Sequence, residues 1–408
     1  MNSGSPKQRH GPTAFVLALG FPGLGAIRSL GRAGVPVVGL DPTPGGLGFA
    51  SRYCDARRCP NPVTEPDLLV EYLLDAQRKL DEPGILSPAS DAFVLFISRH
   101  RKLLGEHFRF NLPSPEVIES AVDKRKLYET AERVGIAYPE TFYPEMMDDV
   151  HRIKHEITYP VYVKPYHSHL WHAAFPKSGK GIKAFTPGQL VSAYERVFAA
   201  GVEAMVQSII LGPASNIRTA RVYMSEQGEL LALLTTRTIR QWPVEFGVGT
   251  MLESWRNREL AEMGTRFFRD IDFRGVGTIE FKRDERDGVL KVTDLNPRWW
   301  GSIQLAPSSG VDFPLIHYLD LVGQSPDPQL TFKEGVRWID GRGDFASAMT
   351  LVRSRQLKVR EWLRDCTGVR SFSTFALDDL GPFLKKYNYG RSLFEAPIHV
   401  RSKKRRQH

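Results

Sequence analysis

Cysteine is scarce: Cys54, Cys59 and Cys366 are the only three in 408 residues, and no two share a CxxC spacing. That excludes a disulfide framework, offers no zinc-site pattern, and fits a reducing, cytoplasmic setting. No apolar run approaches the ~20 residues that a bilayer-spanning helix needs. Met1–His10 is polar and leads directly into a strand-like segment, without the apolar stretch of a signal peptide. Internal repeats and long low-complexity tracts are missing as well. Positive charge is in excess, at +9, but much of it sits at the ends. Lys7 and Arg9 lie near one terminus, Arg401, Lys403, Lys404, Arg405 and Arg406 near the other, leaving about +2 on the body. The body therefore has no broad basic footprint, and specific nucleic-acid binding is not expected. The tail RSKKRRQH has the composition to touch an anionic membrane surface, yet short charged termini ordinarily stay solvated.

What is present is globular in character, with 42% hydrophobic and 25% charged residues. The length exceeds the ~250–300 residues at which a single core stops growing, so two or three lobes are expected. The first hundred residues alternate: the apolar run AFVLAL (14–19), a glycine-rich turn, a helical stretch, then VPVVGL (35–40). This predicts a βαβ opening with buried parallel strands. A helix over 66–80, a strand over 84–89 and a helix from Asp91 to about Leu104 follow. The two prolines of NLPSPEVIES then mark a new unit. Beyond it the pattern predicts a helix closed by Gly135, strands at 159–165 and 181–185, and a helix over 187–200. Strands at 203–210, 217–225 and 229–237, a helix over 257–270, and strands at 275–284 and 289–296 complete this part. Residues 327–400 read as a C-terminal appendage.

The chemistry concentrates in the last strand pair. Residues two apart on a strand share a face, so Asp294 and Asn296 of DLNPR project together, and a hairpin can bring Glu280 beside them. Two carboxylates and an amide oxygen are hard ligands suited to Mg²⁺ bridging phosphates. Arg298 follows where a guanidinium can reach a phosphoryl oxygen. Lys124, opening a helix, and Lys164, ending VYVKP, can offer compact charges to phosphates from two directions. The stretch SGKG (178–181), with Lys180, can drape backbone N–H groups over them.

In this order, DK at 123–124, VKP at 163–165, SGKG, VQSIILGP at 206–213, Glu280 and DLNPR, the chain resembles the ATP-grasp superfamily. It is most similar to the carboxylate–amine ligase branch that includes D-aspartate ligase, in SNIRTARVYM, TRTIRQWPVEFGVGT and NPRWWGSIQLAPSSGVDFP. The resemblance implies an α/β architecture: a Rossmann-like pre-ATP-grasp domain (13–112) followed by a two-lobed α+β grasp domain (113–325, lobes about 113–202 and 203–325). An N-terminal arm (1–12), the appendage (326–400) and the basic tail (401–408) flank them. It implies that Lys124, Lys164 and Lys180 contact the phosphates of ATP, and that Gln207 and Ile210 border the adenine. Glu280, Asp294 and Asn296 would hold one or two Mg²⁺, which Mn²⁺ can replace. Arg298 would stand by the transferred phosphoryl, and Arg237, with Arg240 second, would reach toward the γ-phosphate. The implied reaction activates a substrate carboxylate as an acyl phosphate and joins it to an amine, releasing ADP and phosphate. The implied partners are small carboxylates and amines, and a homodimer is compatible with the branch.

Some positions depart from the pattern. The carboxylate that would hold the ribose falls near Ala214, leaving Ser215 or Asn216. Asp294 stands where a glutamate is usual, and the phosphate loop carries His167, His169 and His172. Two rival readings compete: a nucleotide-binding regulatory protein without turnover, and an NAD-dependent oxidoreductase resting on GFPGLG (20–25) and Asp41. The second has GxxGxG spacing instead of GxGxxG. Asp91 is a candidate for the carboxylate-substrate site or a helix cap. Arg218, Arg221 and Arg240 with Trp242, Trp299 and Trp300 suggest an anionic substrate, or plain packing. The loops 166–181 and 244–250 are candidate lids.

Overall fold

The computed structural model describes residues 11–165, 171, 174, 175 and 181–388. The apolar runs at the start become a five-stranded parallel sheet: β1 (Ala14–Leu17), β2 (Val37–Asp41), β3 (Asp55–Arg58), β4 (Gly84–Pro88) and β5 (Phe108–Arg109), ordered β3-β2-β1-β4-β5. β1, fully buried in the middle, reads as unbroken apolar sequence because helices cover both faces of a parallel sheet. Helices Phe21–Arg32, Pro66–Gln77 and Asp91–Arg99 connect the strands.

A small four-stranded sheet follows, of β6 (Thr141–Phe142), β7 (Val161–Pro165), β8 (Ile182–Ala184) and β9 (Ala204–Ser208), ordered β6-β9-β7-β8. One face of it packs Val161, Val163 and Val206 against helices Met147–Ile153 and Pro187–Ala199. By alternation, Tyr162, Lys164 and Gln207 take the other face.

The third sheet is the largest. It contains β10 (Ile217–Met224), β11 (Leu230–Trp242), β12 (Val248–Ser254), β13 (Gly275–Arg283), β14 (Leu290–Asn296), β15 (Arg337–Ile339) and β16 (Val369–Phe372), ordered β14-β13-β10-β11-β12-β15-β16. Its back face packs Ala220, Val222, Ile279 and Phe281 against Leu260, Phe267 and Phe268 of helix Arg258–Asp270. Gly264 lets that helix approach: a Cβ there would stand 2.5 Å from Ala220 Cβ. Part of the front face, at Tyr223 and Leu234, packs with Trp299, Trp300, Ile303 and Ile316 against β1 and helix Phe21–Arg32, so the first lobe and the large sheet share one core.

The C-terminal segment is built into this body. β15 pairs with β12, and β16 extends the sheet beyond it. Arg28, completely buried on helix Phe21–Arg32, donates from Nε to Asp379 Oδ2 at 2.9 Å and from its terminal nitrogens to Gln304 Oε1 and the carbonyls of Thr374 and Asp379. No helix among the described residues is long and apolar enough to cross a membrane.

Candidate functional site

Strand pairing decides which side chains meet. In the ladders β11–β10–β13–β14, Thr236 lies opposite Thr219, Thr219 opposite Glu280, and Glu280 opposite Asp294. Directly opposed residues share a face, so these four form one row across the front of the sheet. Arg221, Thr278 and Asn296 form the adjacent row. The turn of the β13–β14 hairpin is held by buried Asp284, which accepts from Arg286 and Lys291 and is thereby kept well below the usual carboxylate range despite burial.

A continuous polar chain crosses the end of β14. Lys124, at the first turn of helix Lys124–Arg133, donates to Thr293 O at 3.1 Å and is ion-paired with Asp294. Asn296 Nδ2 donates to Asp294 Oδ2 at 2.8 Å, and Arg298 donates to Asn296 Oδ1 at 2.8 Å. The same guanidinium forks onto Asp91 at 2.6 and 3.2 Å. Asp91 is the first residue of its helix and makes no cap hydrogen bond; Ser90 holds the cap position. Glu280 accepts from Thr293 Oγ1 at 3.1 Å, and burial together with the neighbouring Asp294 pushes its carboxyl up to about 7. Two carboxylates whose charges oppose each other, beside an amide oxygen, fit a hard divalent cation that would relieve the repulsion. No group of three or more His, Cys, Asp or Glu side chains suited to a metal occurs among the described residues, so the set depends on Asn296 for its third oxygen.

The small sheet supplies the opposite wall. Lys164 Nζ donates to Gln207 Oε1 at 2.6 Å, and Gln207 Nε2 donates to Thr141 Oγ1 at 2.8 Å. Ile210 lies in the connection between β9 and β10, and its carbonyl accepts from Lys282 Nζ at 2.8 Å. Lys282 shares the face of Glu280, two residues on, so this bond ties the connection between sheets to the carboxylate strand. The β11–β12 loop reaches across: Phe246 stacks on Tyr162 at 4.7 Å between centroids, and Glu245 is ion-paired with Lys183 of β8.

Other expected residues lie elsewhere. Arg237 lies opposite Arg218 and Glu253, one residue out of phase with Thr236, and so occupies the back face. There it donates from Nε to Glu253 Oε2 at 2.7 Å. Arg240 is buried, donating to Asp344 at 2.7 Å and Asp365 at 2.6 Å on the C-terminal helices. Neither guanidinium joins the Glu280 row. Lys180 and the three loop histidines lie outside the described residues, as do the basic tail and residues 1–10. Asn216 donates to Arg283 O, and Ser215 offers its carbonyl to Arg218. The glycine turn has packing duties: a Cβ on Gly25 would stand 2.2 Å from Ile303 Cγ2. Asp41 accepts from the backbone of Leu19 at 2.7 Å and Thr43 at 2.8 Å. The residue underrated by sequence is Arg221. Its phase with Tyr223 and Thr219 on a single strand was the available signal, and it puts a buried guanidinium 4.9 Å above the Trp300 ring. Burial pulls it down to about 9.

No protein-family model matches the chain. It is 24% identical over 257 residues to D-aspartate ligase of Enterococcus faecium, a stretch covering 61% of each protein; the chain thus spans about three-fifths of that relative's length. Among solved structures it resembles N5-carboxyaminoimidazole synthetase of Staphylococcus aureus, also solved with ADP, with a TM-score of 0.60 and 16% identity over 80% of this chain and 81% of that one. Biotin carboxylase of Campylobacter jejuni, solved as a β,γ-ATP complex, gives a TM-score of 0.59 and 18% identity over 80% and 74%. Along the chain a parallel-sheet lobe, a small antiparallel sheet and a large, mostly antiparallel sheet follow one another, and these likenesses show that the chain shares the fold of the N5-carboxyaminoimidazole synthetase and biotin carboxylase structures.

Proposed function

We propose that the chain is an ATP- and Mg²⁺-dependent ligase that activates a carboxylate as an acyl phosphate and couples it to an amine, with release of ADP and phosphate. The observation that carries this reading is the polar chain Lys124–Asp294–Asn296–Arg298–Asp91. It joins a phosphate-type lysine, a hard-oxygen ligand set and an arginine that reaches the first lobe. Glu280, Asp294 and Asn296 would hold Mg²⁺, which when bound neutralises charge on the β- and γ-phosphates. Lys124, Lys164 and Lys180 are assigned to the phosphates, and Gln207 and Ile210 to the adenine.

In the first half-reaction a carboxylate oxygen attacks the γ-phosphorus in line. The bond to the β-bridging oxygen breaks, and ADP leaves. Arg298, at the end of β14, is placed in this reading to meet the negative charge spread over the transferred group. Arg237 and Arg240 take no part in it, because both are engaged by carboxylates away from the front face. The amine then attacks the acyl carbon, loses a proton and expels phosphate. Acyl phosphates hydrolyse, so water must be kept out, and the loop carrying Phe246 is suited to that task.

The test is nucleotide-selective stabilisation followed by turnover. Mg·ATP at about 100 times its dissociation constant should add ~2.7 kcal/mol, read as a rise in melting temperature, and NADH should add nothing. Glu280→Gln and Asn296→Ala should reduce ADP release to background in a screen of carboxylates against amines while melting normally. Stabilisation by NADH alone, or wild-type turnover in both variants at limiting Mg²⁺, would reject the proposal. Mg·ATP binding with no turnover across the screen would favour the regulatory alternative.

A further inference from the structure

Arg221 is 3% exposed, and the structure gives its in-plane donors little to do. One terminal nitrogen donates to Thr236 Oγ1. Its Nε is buried with no hydrogen-bond partner, and no carboxylate among the described residues is ion-paired with it. The guanidinium carbon lies over the Trp300 ring, 4.9 Å from its centroid, and that contact supplies no acceptor for Nε. Directly opposite in the ladder stands Thr278, 6% exposed, whose Oγ1 is likewise buried and unpartnered. Opposed residues keep their Cβ atoms about 4.5–5.5 Å apart, so the two orphaned groups stand on neighbouring side chains of one face. Glu280 is the nearby carboxylate that acts on this guanidinium, but it is not ion-paired with it. A buried donor left unmet and a buried hydroxyl without a partner are both costly, and one oxyanion would satisfy them together.

We infer that Arg221 and Thr278, floored by Trp300, form a receptor for the substrate's carboxylate. The guanidinium edge would donate from Nε, and Thr278 would donate its hydroxyl to the same group. The receptor row, Arg221–Thr278–Asn296, lies one pleat step from the row Thr219–Glu280–Asp294. Two residues along a strand span about 6.5–7 Å, room for a carboxylate in the first row to face a phosphoryl group in the second. Arg298 borders the same row through Asn296. This assignment deepens the ligase reading and rests on it for the identity of the ion as a substrate. The binding site itself stands on the unpaired donors.

The experiment uses the full-length chain and needs no turnover. Tryptophan fluorescence is titrated with sodium acetate and sodium succinate, against sodium chloride and sodium phosphate at matched ionic strength. Wild type, Arg221→Lys, Arg221→Met and Thr278→Val are compared, each with its Mg·ATP melting shift measured in parallel. The expected result is a saturable carboxylate response that chloride does not give. It should weaken at least tenfold in Arg221→Met and severalfold in Thr278→Val, with Arg221→Lys between wild type and Arg221→Met. Arg221→Lys keeps the test decisive should the methionine variant fold poorly, because it preserves the charge and stem. Unchanged carboxylate binding in Arg221→Lys and Thr278→Val would overturn the receptor, as would a wild-type response to phosphate alone. An Arg221-dependent carboxylate response with no Mg·ATP shift would keep the receptor and remove the ligase reading. The opposite pairing would remove the receptor alone.

Discussion

Glu280 and Asp294 face each other across the hairpin, and neither is ion-paired with an arginine among the described residues. Burial and that proximity raise the Glu280 carboxyl from 4.5 to about 7, with a direct consequence for pH dependence. Between these values the metal-free native state holds a proton that the unfolded chain releases. The associated stability is therefore complete below about pH 4.5 and is lost as pH rises through 7. Relative to Glu280→Gln, the metal-free protein should lose on the order of 1–3 kcal/mol between pH 5 and 8, measured by urea unfolding. In the proposed metal site Mg²⁺ would have to displace that proton, so its affinity should climb over the same interval and flatten above it; calorimetric titration at pH 6, 7 and 8 checks this. At this scale sequence showed which residue types were gathered, since DLNPR and Glu280 carry their spacing openly. It could not show facing. Arg237 and Thr236 differ by one step, and only the pairing of Thr236 with Thr219 puts the threonine on the front and the arginine behind.

Elements were legible where length and periodicity were both strong. The βαβ opening, helix Arg258–Asp270 and the β13–β14 hairpin follow the apolar pattern to within a few residues. β12 was hidden because its first residues, Val248 and Gly249, continue a glycine-rich stretch that reads as loop. β5 and β6 have two residues each, too few for any alternation to register. In the proposed ligase, the loop between β11 and β12 is the element on which turnover should depend most. Phe246 sits at φ +55 and spends its ring on Tyr162 of the other sheet, so a bond of stacking type joins the two walls of the cleft. Phe246→Ala should cost about 0.5–1.5 kcal/mol of that closure, raising the KM for ATP three- to tenfold. It should also admit water, so that ADP released exceeds amide formed; comparing the two products in one assay reads the leak.

Across the whole molecule, the C-terminal residues read from sequence as an appendage contribute two strands to the large sheet and the main partner of Arg28. Nothing local announces this: Asp379 is an ordinary aspartate until the fold brings it to a helix 351 positions earlier. Removing one member of a fully buried pair leaves the other uncompensated. Asp379→Ala should therefore lose about 3–5 kcal/mol, seen as a lower urea midpoint. Replacing both, as Arg28→Met with Asp379→Leu, should recover much of the loss, because two apolar side chains strand no charge. A double variant as unstable as the single one would show that the backbone carbonyls of Thr374 and Asp379, more than the ion pair, set the cost.

The Arg28 clasp also has a temporal side. At about 5–20 residues per second of synthesis, Asp379 reaches the growing chain roughly 20–70 s after Arg28 does. Throughout that interval the nascent first lobe carries a guanidinium destined for complete burial with its carboxylate still unmade. The parallel sheet can collapse early, but its helix Phe21–Arg32 cannot seat finally until Asp379 has been made. On the ribosome, then, this lobe emerges before the large sheet and yet locks only after the segment carrying Asp379 has followed it.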